Sequence, residues 1–170
     1  MSNIVSELAQ ILSELKLTIS SAESCTGGYI AHMLTERSGS SAYYKGSVVS
    51  YCNEIKIRVL GVKKTSIDAD TEVSEAVATE MAAGVMKLMN TDVSVSTTGI
   101  AGPTGALPGK PVGTVYISAC TKCGHMTRQY LFEGDRESVI EQAAETALNM
   151  ALDLLRHDRA QVRLDKQDLT

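Results

Sequence analysis

Short apolar runs of strand length alternate along this chain with longer stretches of helical period. Residues 3–15 place Ile4, Leu8, Ile11, Leu12 and Leu15 on one helical stripe. A buried strand is expected at 17–21, a helix at 29–35, a strand at 46–51 and a short helix at 54–60. Asn53 is a good N-cap for that short helix, and Gly61 is its stop. Residues 65–72 read as polar connection. Ser74 then caps a long helix, with Val77, Met81, Val85, Leu88 and Met89 on its buried side. Residues 92–98 alternate Val with Ser and Thr, which suits a strand. Strands at 114–119 and 126–132 form a hairpin, and a final helix runs from about Asp135 to about His157. The charged tail, 159–170, is expected to fray. This alternation predicts one three-layer α/β/α domain with a mixed sheet, over residues 1–158.

Composition narrows the function. At 170 residues and 44% hydrophobic, the chain has room for one well-buried domain. Sixteen Lys+Arg against twenty Asp+Glu argue against a chain-wide grip on nucleic acid. An aromatic content of 4%, without Trp, argues against base-stacking platforms. No apolar run reaches the roughly 20 residues that a membrane-spanning helix needs. The acidic, periodic N-terminus does not read as a signal peptide, so the cytoplasm is the simplest address.

Three polar junctions follow predicted strands, and in an open α/β sheet such loops gather at one ligand-binding rim. The first, Ala22 to Gly28 (AESCTGG), brings hydroxyls and bare backbone to a helix start. The amides around Thr26, Gly27 and Gly28 would suit an anion there; an ordinary capped turn is the plainer reading. The second, Tyr51 to Lys56, sets a lysine one turn into a short helix. Desolvated in a pocket, such a lysine loses its proton near neutral pH and serves as general base for a serine. Lys56 and Tyr51 would otherwise be a solvated cation and a packing residue. The third is the loop 99–113, GIAGPTGALPGKPVG, where Gly99, Ala101 and Gly102 allow close backbone approach to a ligand. Its N–H groups could hold a developing oxyanion.

Cys120 and Cys123 form a CxxC without a second pair at zinc spacing. His32, His125 and His157 show neither HExxH nor triad order. No metal and no cofactor is expected.

Together AESCTGG, GSSAYYKGSVVSYCNEIK with LGV, TTGIAGP with KPVGTV, and FEGDR closely resemble the CinA C-terminal domain family. The likeness covers about residues 5 to 155. Longer members carry a molybdopterin-binding-like N-terminal domain, so the chain resembles the stand-alone form. The resemblance implies a metal-free nicotinamide-nucleotide amidase that self-associates. Its substrate would be nicotinamide mononucleotide, converted to nicotinate mononucleotide and ammonia in pyridine nucleotide recycling. It also implies a serine–lysine pair on Lys56 with either Ser24 or Ser41, and further pocket positions at Tyr51, Thr98 and Arg136. Within that mechanism the Thr98 hydroxyl would help the oxyanion site, and Arg136 and Lys110 are candidates for the substrate phosphate. The alternative is a catalytically silent nucleotide-binding or competence-related module.

Overall fold

In the computed structural model, which describes residues 3–167 of the backbone and the side chains of 4–160, five strands form one mixed sheet in the order β2-β1-β3-β4-β5. The elements are α1 (Asn3–Leu15), β1 (Ile19–Glu23), α2 (Tyr29–Thr35), a 3-10 turn (Ser40–Ala42), β2 (Tyr44–Val49), α3 (Asn53–Leu60), α4 (Lys64–Asp70), α5 (Glu75–Met89), β3 (Val93–Gly99), β4 (Thr114–Thr121), β5 (His125–Leu131) and α6 (Arg136–Gln167). β1 runs parallel to both β2 and β3, while β4 pairs antiparallel with β3 and β5 antiparallel with β4 at the edge. The three-layer reading holds. α1, α2 and α6 bury one face of the sheet over Val93, Val95, Val115 and Ile117. The other face packs α3 and α5 through Leu60, Val77, Met81 and Val85 around Ala22.

β3 shows how the sheet carries polar residues in its interior. The predicted strand forms, and its residues 93–98, Val and Ser/Thr alike, are buried on both faces. Ser94 and Ser96 donate to the Ala82 and Ala78 carbonyls of α5, at 2.7 and 2.6 Å, so each buried hydroxyl is satisfied. The small Ala78 and Ala82 let α5 come that close. Gly84 does the same for α3, because a Cβ there would land on the Leu60 carbonyl oxygen.

Several boundaries move. β1 and β2 are displaced by about two residues from their predicted positions, within the usual error of such boundaries. The N-cap of α3 is Cys52, with Asn53 in the first turn. α4 occupies residues expected to be connection; with Ile67 as its one large apolar residue, its period carried no signal. Leu88 is 53% exposed rather than buried, since α5 turns it away from the sheet. α6 continues past His157 to Gln167, as no Gly or Pro interrupts that stretch. Residues 168–170 of the tail lie outside the described residues. Among the described residues, no helix is long and apolar enough to cross a membrane.

Candidate active site

β1 and β2 are neighbours, but the chain leaves them toward opposite faces: α2 follows β1 to the α6 side, and α3 follows β2 to the α5 side. Such a divergence opens a crevice at the C-terminal strand ends. A cavity of about 450 Å³ lies there, within the range of ligand sites. Ser24, Tyr51, Lys56, Thr98, Gly99, Ala101, Gly102 and Arg136 all line it. Three distant stretches therefore converge as the sequence suggested.

Ser24 sits just beyond β1, its amide bonded to the Thr97 carbonyl at 3.0 Å. Lys56 reaches it from the first turn of α3. Its ammonium nitrogen, Nζ, donates to Ser24 Oγ at 3.0 Å and to the Ser50 carbonyl at 2.7 Å. Lys56 is 1% exposed, and burial pushes its amine below the ordinary 10.5, while the nearby charge of Glu72 opposes that shift. Cys25, next to the serine, is held inert: burial pushes its thiol up to about 12.

Ser41 is not part of this site. It lies exposed on the 3-10 turn that precedes β2, at the opposite end of the parallel strands. Of the two candidate serines, it is Ser24 that the structure brings to the lysine.

The turn after Ser24 also differs from expectation. The N-terminus of α2 already holds an anion, the chain's own Glu23. This fully buried carboxylate accepts the amides of Gly28, Ile30 and Ala31 at 2.9, 3.1 and 2.9 Å. It also accepts the Thr26 hydroxyl at 2.8 Å. Thr26, Gly27 and Gly28 thus build the turn, and the Gly28, Ile30 and Ala31 amides at the helix start are taken by Glu23 rather than left for a substrate phosphate. Glu23 stands within AESCTGG, but its inward aim depends on tertiary packing.

Two further assignments change. The Thr98 hydroxyl donates its one hydrogen to the Glu72 carbonyl at 2.7 Å, so it has none for an oxyanion. Lys110 is buried away from the cavity lining, donating to the Asp70 carbonyl and carboxylate at 2.8 and 2.7 Å. It ties the long loop to the end of α4 and is no free phosphate ligand. Arg136, at the start of α6, remains at the mouth. It donates to the Gly102 carbonyl at 2.8 Å and to the Tyr51 hydroxyl at 2.9 Å. Tyr51 is 62% exposed there and makes no hydrogen bond to Ser24 or Lys56. Gly99 is required by crowding, since a Cβ would sit 2.6 Å from the Thr114 carbonyl oxygen.

The CinA C-terminal domain family matches residues 1–155. The chain belongs to the CinA C-terminal domain family. A CinA-like protein of Flavobacterium psychrophilum is 47% identical over 143 residues, covering 84% of this chain and 34% of the relative. A CinA-like protein of Salinibacter ruber is 52% identical over 134 residues, covering 79% and 32%. The chain thus spans about a third of the length of the curated CinA relatives it matches. Among solved structures, the competence damage-inducible protein A from Klebsiella pneumoniae superposes with a TM-score of 0.87 at 33% identity, covering 91% of this chain and 96% of that one. A competence-damaged protein (CinA) superfamily protein from Escherichia coli gives 0.86 at 36% identity, covering 89% and 88%. The CinA likeness therefore extends over the whole three-layer fold.

Proposed function

We propose that this CinA domain is a metal-free amidohydrolase acting on the carboxamide of a nicotinamide nucleotide, with nicotinamide mononucleotide as substrate. The observation that carries the reading is the buried Lys56 amine at 3.0 Å from Ser24 Oγ, facing a ligand-sized cavity.

A neutral Lys56 keeps one N–H on the Ser50 carbonyl and offers its lone pair to the serine proton. Ser24 Oγ then attacks the amide carbon as Lys56 becomes an ammonium. That ammonium is held by the Ser50 carbonyl and the charge of Glu72. Ala101 and Gly102 line the cavity, and among the described residues their backbone amides donate to no backbone acceptor, which makes them the candidate oxyanion donors. The C–N bond breaks as Lys56 returns its proton to the leaving nitrogen, releasing ammonia and an acyl-serine. A water, deprotonated by Lys56, cleaves the ester and gives the acid, and the proton returns to Ser24. Arg136 at the mouth suits the nucleotide phosphate, a bidentate partner for its guanidinium.

The test is ammonia release from nicotinamide mononucleotide with a chelator present, alongside simple amides lacking the ribose phosphate. Release confined to the nucleotide supports the assignment. Nucleotide binding without release in the unmodified protein would instead favour a silent binding module.

A further inference from the structure

Glu72 lies on the bend between α4 and α5 and lines the Ser24 cavity. Of the charged residues lining that cavity, Lys56, Glu72 and Arg136, it is the one acid. Its main chain is pinned from several sides. The Thr98 hydroxyl bonds its carbonyl, while the Lys110 ammonium grips the Asp70 carbonyl and the Thr71 hydroxyl at 2.8 and 3.3 Å. Thr71 itself has φ of 67°, costly for a β-branched residue. Such a conformation persists where the surroundings over-determine it, as Lys110 and Thr98 do here. All this anchoring is spent on backbone and neighbours. Among the described residues the Glu72 carboxylate itself accepts no hydrogen bond and stands in no close ion pair.

We propose that Glu72 determines specificity for the uncharged carboxamide, accepting a hydrogen bond from its NH2 group and repelling the carboxylate that replaces it. The inference rests on the amidase reading. An ionised carboxylate is an acceptor only, so it complements the two N–H donors of a primary amide. A carboxylic acid product is ionised near neutral pH, offers no donor and meets like charge. Sites built to receive a substrate N–H discriminate strongly against analogues without one. The same repulsion favours product release once ammonia has left.

The experiment measures affinities of nicotinamide and nicotinate mononucleotides by titration calorimetry in a Ser24→Ala background, where no turnover confuses binding. The parent is expected to prefer the amide. Glu72→Gln, which preserves shape, is expected to bind the acid at least about tenfold more tightly and to lose most of the preference. Glu72→Ala should also gain affinity for the acid. An amide-to-acid ratio unchanged within about twofold in both variants, with melting temperatures retained, overturns the role of Glu72. Failure of both nucleotides to bind the Ser24→Ala parent overturns the substrate assignment as well.

Discussion

Lys56 Nζ stands 3.0 Å from Ser24 Oγ across the crevice between the ends of β1 and β2, and the Ser50 carbonyl fixes its other side. This contact places a weak nucleophile beside a base shielded from water. Ser24→Ala and Lys56→Met should each lower ammonia release by about 10³-fold or more. Lys56→Met keeps the volume and removes a costly buried cation, so its stability should be unchanged or up to about 2 kcal/mol greater. A denaturant melt and an ammonia assay on the same samples check both.

The lowered Lys56 amine sets the pH dependence. Its neutral form is the active base, so kcat/KM should rise with pH through the Lys56 pKa and level off before the ordinary 10.5. Stability follows with a definite sign. Between the folded pKa and 10.5 the unfolded chain binds more protons, so raising pH stabilises the fold across that window. Below the folded pKa the full penalty of the buried ammonium is present. Lys56→Met should flatten this component of the stability profile relative to the unmodified protein.

Glu23→Gln should be the most damaging conservative change near the site. The carboxylate receives three amides and the Thr26 hydroxyl at the start of α2, and an amide side chain turns one acceptor into a donor. A loss of roughly 2–3 kcal/mol is expected in urea unfolding. Activity should fall too, because the adjacent Ser24 depends on that turn.

Ser41→Ala is the matching control. Its hydroxyl lies exposed at the far end of the strands, so stability should stay within about 0.5 kcal/mol of the parent. Turnover should be unaffected. A substantial loss of ammonia release in this variant would contradict the Ser24 assignment.

Gly84→Ala tests the support of the base from a distance. The new methyl would strike the Leu60 carbonyl and push α3, which carries Lys56, away from α5. Overpacking of this kind costs about 1–3 kcal/mol. Turnover should fall together with thermal stability, whereas a variant that melts lower with normal kcat would show that α3 yields without moving the amine.

The order of most elements, the layered α/β class and the three junctions that meet at one rim were legible in the chain before it folded. Those properties are local: hydrophobic period, capping residues and glycine-rich breaks lie within a dozen residues of the element they define. A polar helix such as α4, with little apolar stripe, escaped the same reasoning. Only the tertiary structure decided which serine meets Lys56, because Ser24 and Ser41 differ by the end of the parallel strands on which they fall. It also decided that Glu23 fills the α2 N-terminus, and that Thr98 and Lys110 brace the bend at residues 70–72. Hydroxyls, ammonium groups and carboxylates can satisfy a buried backbone or a ligand equally well. Which they do depends on partners tens of residues away, brought near only when the sheet is assembled.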